Sequence, residues 1–217
     1  MQLTKQLAEK KASSKQKIPA EKLKVMLDAT ERLKEQSLSD HAIQNGAQLP
    51  AFELPDATGK STSLHNFTED NLIISFYRGG WCPYCNLELR ALESVLPQLR
   101  NFNTAIIAIS PETPDHSLTT TEKNELSFTV LSDLNNSYAK SLGLVFQLPE
   151  DLQAVYEGFN LRVDQHNGNH DFELPMPATF IVNRDRQIIH RFVPEDYTKR
   201  LDPEAILGVL REQAVSG

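Results

Sequence analysis

The chain has 217 residues, of which 40% are hydrophobic and 24% charged, enough for one well-buried domain plus an appendage and short for two full domains. A net charge of −7 argues against nucleic acid as the main partner, because phosphate binding needs a concentrated positive field. No run approaches the roughly 20 apolar residues of a membrane span, and MQLTKQLAEKKASSKQK lacks both the apolar core of a signal peptide and the arginines of a transit peptide.

Residues 1–46 differ in character from the rest of the chain and are expected to form an N-terminal helical extension to a domain over 47–217. Lys5, Lys10, Lys11, Lys15, Lys17, Lys22 and Lys24 crowd the start. This basic run is either a solvated helix face, the simpler reading, or a docking surface for an acidic partner. Leu23, Met26, Leu27, Thr30, Leu33 and Leu38 recur at three- and four-residue steps, predicting a helix from near Pro19 to near Ser37. Its apolar stripe must be covered by the main domain or by a second subunit.

Residues 51–64 predict two short strands around an Asp56-Ala-Thr-Gly59 turn, and Leu72–Tyr77 predicts a central strand. A helix starts at Pro83 with Leu89, Leu92, Leu96 and Leu99 on one face, and Pro97 should kink or end it. Thr104–Ile109 is continuous and β-branched, the pattern of a strand buried on both faces. Thr113 then Pro114 mark a further helix start. Next come a strand over Phe128–Leu131 and helices over 136–142 and 151–159. Residues 164–171 read as a polar loop. His166 and His170 are four apart, a metal-ligand spacing on a helix, but Asn167, Gly168 and Asn169 between them argue against one. Thr179–Val182 and Gln187–Phe192 form a hairpin, and a last helix runs from Pro203 to about Gln213. The alternation predicts an α/β fold, a mixed sheet with helices on both faces.

The chemistry concentrates between Leu72 and Leu99, where an apolar strand runs through Arg78, Gly79, Gly80 and Trp81 into Cys82-Pro83-Tyr84-Cys85. The first turn of a helix leaves amide N–H groups unpartnered, with about half a positive charge there. A cysteine at that position favours its thiolate: the ordinary pKa of about 8.5 falls to about 3.5–7.5 at helix starts and in C-x-x-C pairs. Cys82 is therefore the candidate nucleophile. Pro83 suits the first helical position, and Cys85 lies on the same face, close enough for a disulfide to Cys82. A structural disulfide, half a zinc site or inert core cysteines are the alternatives. There are only two cysteines, so no Cys-only zinc site fits one chain. His65 and His116 stand in no recognised ligand spacing. A disulfide closing so short a loop would also stabilise weakly. The redox-active reading is favoured, and with it a reducing compartment, the cytoplasm.

Trp81-Cys-Pro-Tyr-Cys85 after an apolar strand resembles the active site of the thioredoxin fold. Ala51-Phe-Glu-Leu-Pro-Asp56 with Gly59, Phe76-Tyr77, Ile109-Ser-Pro111, and Leu131-Ser-Asp133 leading to Gly143 resemble the peroxiredoxin-like alkyl hydroperoxide reductase/thiol-specific antioxidant branch. The resemblance covers about residues 47–213 and implies a thioredoxin-like fold. It implies a peroxidase in which Cys82 becomes a sulfenic acid, Cys85 condenses with it, and an external thiol, thioredoxin- or glutathione-like, reduces the disulfide. A peroxide is then the substrate, no cofactor or metal is needed, and a homodimer is a modest expectation. Two departures stand out. Gly79 and Ser75 occupy the places of the branch's proline and hydroxyl residue, three and seven before Cys82. Met176-Pro177-Ala178-Thr179-Phe180 replaces its late arginine and resembles the thioredoxin loop whose proline is cis and faces the cysteines. Pro177 is accordingly expected to be cis, with an ordinary trans proline as the alternative. Arg78 is the candidate replacement cation, Trp81 a shield of the site or plain packing, and Tyr84 a supporting neighbour. Gly79 and Gly80 are expected to let backbone N–H groups reach the substrate. Two further functions stay open: a dithiol–disulfide oxidoreductase acting on protein disulfides, which the departures favour, and a binding adaptor with the cysteines as a redox latch.

Overall fold

The computed structural model describes residues 2–216. Its helices are α1 (Gln2–Lys17), α2 (Ala20–Glu35), α3 (Leu38–His41), α4 (Pro83–Arg100), α5 (Pro114–Lys123), α6 (Ser137–Ser141), α7 (Glu150–Glu157), α8 (Val163–Asn167) and α9 (Pro203–Ser216). Its strands are β1 (Glu53–Pro55), β2 (Ser61–Ser63), β3 (Asn71–Phe76), β4 (Thr104–Ser110), β5 (Thr129–Ser132), β6 (Val145–Gln147), β7 (Glu173–Pro175), β8 (Ala178–Val182) and β9 (Ile188–Phe192). Among the described residues no helix is long and apolar enough to cross a membrane.

The main sheet has the order β5-β4-β3-β8-β9, with β3 parallel to β4 and antiparallel to β8. β3 is central because it can be buried on both faces. Successive side chains point to opposite sides of a strand, so Leu72, Ile74 and Phe76 enter one core with Phe52, Leu54, Tyr138 and Phe180. Ile73 and Tyr77 enter the other with Leu89, Leu92 and Leu99 of α4 and Ile206, Leu207 and Leu210 of α9. The mixed sheet, the 178–192 hairpin and the start of α4 at Pro83 are as the sequence predicts.

The N-terminus differs. Beyond the anticipated α2, residues 2–17 form a second helix whose apolar side is little more than Leu3 and Leu7. Both leucines are buried in the same core as Cys82 and Cys85. So short a stripe gives almost no periodic signal; tertiary burial, not pattern, makes this segment a helix. Thr4 donates to Asp202 Oδ2 through both N–H and hydroxyl, and Lys11 Nζ reaches Asp196 Oδ2 at 2.9 Å. Three other expectations change. α4 runs through Pro97 and ends one turn past it, at Arg100. The polar loop 164–171 is in part α8, closed by Gly168 in the left-handed region. The Met176–Pro177 bond is trans, as are all peptide bonds among the described residues. Pairing of β6 with β7, followed by a bond from Met176 N–H to the Leu144 carbonyl, carries the chain extended into β8, a path an ordinary trans proline continues.

Candidate active site

β3 delivers the chain to Arg78, and a two-glycine turn reverses it so that Cys82 caps α4 and Pro83 opens it. Gly79 has φ of +145°, and a Cβ there would lie 2.3 Å from Trp81 Nε1. A Cβ on Gly80 would lie 2.0 Å from Thr120 Oγ1. Both glycines are thus needed for close packing around the turn. The Gly80 N–H donates to Glu112 Oε2 at 2.9 Å, which takes from that amide the polarising role expected of it. Glu112 is itself buried and bonded to His166 Nδ1 at 2.9 Å. The His166 ring lies 4.4 Å from that of His116, tilted at 46°, and its Nδ1 is taken by Glu112, while His170 stands in solvent; the two candidate metal-spaced histidines have different surroundings.

The two thiols are free and both buried. Burial pushes Cys82 up. The hydrogen bond from Cys85 and the positive charges of Arg78 and Arg200 overcome that and lower it to about 5. Cys85 moves the other way: burial, and its proton being shared with Cys82, raise it well above an ordinary thiol. One sulfur is a thiolate at neutrality and its neighbour a thiol that donates to it. The hydrogen bond between them and the nearby arginine charges, rather than exposure, separate them.

Arg78 is buried, not a solvated surface arginine, and lies in an aromatic cage. Its guanidinium carbon is 4.8 Å from the Trp81 ring, 4.6 Å from Tyr197 and 5.6 Å from Tyr156, and it also donates to the Tyr156 hydroxyl. Rings shield the charge from water while favouring it. Tyr84 packs edge-on to Tyr197 at 5.6 Å. Cys82 is 1% exposed but forms the wall of a cleft of about 300 Å³. Trp81, Pro83, Tyr84, Tyr156 and Tyr197 also line it, and Lys10, Ser14 and Lys17 of α1 form its opposite side. Pro177 does not line this cleft; it lines a small apolar hollow beside Arg78 with Met176 and Tyr197.

The second cation, Arg200, was not legible in the sequence. It comes from the loop after β9, donates from Nη2 to Cys85 Sγ at 3.0 Å and pairs with Glu88 on α4. Glu88 carried a faint signal, a carboxylate among the leucines of an otherwise apolar helix face. Arg200, Tyr156, Tyr197 and Glu112 carried none, since nothing in their neighbours' spacing marks them.

A helix-capping thiolate beside a donating thiol, within a thioredoxin-like sheet, defines a thiol redox protein. The chain belongs to the AhpC/TSA family, whose profile matches residues 45–191. It is similar to peroxiredoxin Bcp of Escherichia coli (strain K12), 24% identical over 172 residues that cover 79% of this chain and 98% of that protein. A putative peroxiredoxin bcp of Haemophilus influenzae is 32% identical over 99 residues, 46% of this chain and 64% of that protein. Among solved structures, peroxidoxin BcpB of Mycobacterium tuberculosis superposes with a TM-score of 0.63 at 19% identity, covering 78% of this chain and 97% of that one. The bacterioferritin comigratory protein of Xanthomonas campestris, studied for alkyl peroxide reduction, gives 0.57 at 16% identity, with 75% and 92% covered.

Proposed function

We propose that this protein is a thiol-dependent peroxidase in which Cys82 attacks hydrogen peroxide or an organic hydroperoxide and Cys85 resolves the product. The observation that carries the reading is a pair of free, buried thiols at the start of α4 beside Arg78 and Arg200, with Cys82 lowered against burial by these neighbours and Cys85 raised by burial and by Cys82, in a chain of the AhpC/TSA family. The Cys82 thiolate attacks one oxygen, the O–O bond breaks, and the departing hydroxide or alkoxide takes a proton from solvent and leaves as water or an alcohol; Cys82 becomes a sulfenic acid. Cys85 then forms the disulfide and an external thiol reduces it by exchange.

The burial of Cys82 behind α1 favours small oxidants over the disulfide of a folded protein, which the cleft is too small to admit while α1 stays docked. On the same reading, residues 1–46 are an extension that roofs the site of the 47–217 domain, and the protein works in a reducing compartment such as the cytoplasm. Trp81 is the single tryptophan and lies beside the sulfurs. Its stopped-flow fluorescence should respond to hydrogen peroxide in the wild type and not in Cys82→Ser. No response to hydrogen peroxide or an organic hydroperoxide, together with reduction of insulin disulfides, would replace the peroxidase by a disulfide reductase.

A further inference from the structure

We infer that Arg200, held by Glu88, is the positioning residue of the resolving step: it receives on Cys85 the negative charge that Cys82 gives up when it is oxidised. The inference rests on the peroxidase reading and concerns the step after peroxide has reacted.

Arg200 is immobilised on every side. Nε pairs with Glu88 Oε2, Nη1 donates to the carbonyls of Tyr197 and Lys199 at 2.6 and 2.7 Å, and Nη2 donates to Cys85 Sγ at 3.0 Å. Glu88 is fixed in turn by the Thr179 hydroxyl at 3.3 Å. Both charged side chains are 1% exposed, so water screens little of the field that reaches the sulfurs. In the reduced enzyme this field is shared: Cys82 holds the negative charge, and that charge is one of the causes that keep Cys85 protonated.

Attack on a peroxide removes the charge: the departing hydroxide or alkoxide carries it off and is protonated by solvent, and the sulfenic acid left at Cys82 is neutral. Arg200 then faces one remaining sulfur able to carry an anion, the one it already touches. Cys85 loses its proton, its sulfur attacks that of Cys82, the S–S bond forms and the S–O bond breaks. The released hydroxide leaves with that proton as water, so no outside oxidant is needed. Cys85 is thereby held as a thiol while Cys82 must be the nucleophile, and becomes the nucleophile only once Cys82 is oxidised. Glu88 moderates the effect. Burial pushes its carboxyl up to about 7, so at pH 8 it is ionised and offsets part of the Arg200 field, and removing that charge strengthens the pull on Cys85.

The test is two-phase stopped-flow fluorescence at pH 8, with a peroxide-dependent first phase and a peroxide-independent second phase, alongside dimedone trapping. Arg200→Met should slow the second phase about tenfold or more, the worth of a charge-assisted hydrogen bond, with dimedone-reactive Cys82 accumulating. Glu88→Gln should speed the second phase. Arg200→Lys, which keeps the charge but not the fork, should fall between Arg200→Met and wild type. The double variant Arg200→Met/Glu88→Gln leaves no buried unpaired charge, so it guards against misfolding of the single variant, and it should remain as slow as Arg200→Met. A double variant resolving at the wild-type rate, or Arg200→Met and Glu88→Gln slowing the second phase alike, would reduce Arg200 to a structural counter-ion and overturn the inference. Absence of a first phase in the wild type would instead remove the peroxidase reading, and this inference with it.

Discussion

The segment Asn71–Arg100 and the segment 193–202 meet at the same two sulfurs and are built by different rules. The first is local: a strand, a two-glycine turn and a proline-started helix place Cys82 and Cys85 by chain geometry alone. The second has no strand or helix and is held by side chains, with Asp196 bonded to Thr198 and Lys11, and Arg200 to Glu88. The first decides where the sulfurs are. The second helps decide which of them is ionised, because a buried charge acts through space and without regard to sequence distance.

The largest expected effect tests the local half. Cys82→Ser should lower peroxide consumption roughly a thousandfold or more, as loss of a nucleophile does, while circular dichroism stays that of the wild type. Retained turnover would move the nucleophile elsewhere.

The next divides the two halves. Alkylation of wild-type Cys82 by iodoacetamide should be level around neutrality and fall as the pH drops through about 5, since the lowered thiol takes up its proton only there. Arg78→Met should move that midpoint upward by about 1–3 pH units. If the midpoint stays put, the Cys85 hydrogen bonds and Arg200 ionise the sulfur without Arg78, and the cage around Arg78 is packing.

Stability separates the roof from the motif. Leu7 is 5% exposed within the core that holds the cysteines, so Leu7→Ala should cost about 2–4 kcal/mol in urea unfolding. It should also speed alkylation of Cys82 by bulky reagents. A cost near zero would mean that α1 is not docked in solution. The smallest effect is expected of Lys11→Met: its bond to Asp196 joins a side chain 38% exposed to one 10% exposed, and such partly solvated pairs contribute up to about 1 kcal/mol. A larger loss would make this pair, not the leucines, the anchor of the roof.

By itself the sequence determined the order of strands and helices through the sheet, the hairpin, the helix beginning at Pro83 and the candidate nucleophile with its partner. Each of these is written within about twenty adjacent residues as periodicity, turn chemistry or spacing. It mistook the proline at 177, because a motif resemblance cannot register that β6 and β7 pair and draw the chain out straight. It missed α1, whose two buried leucines make no stripe. Only the tertiary structure decided that Arg78 is caged, that the Gly80 amide belongs to Glu112, and that Arg200 reaches back 115 positions to Cys85. The reason is physical: a backbone conformation is chosen by near neighbours in the chain, whereas a pKa in a dry interior is set by whichever charges folding brings within a few ångströms.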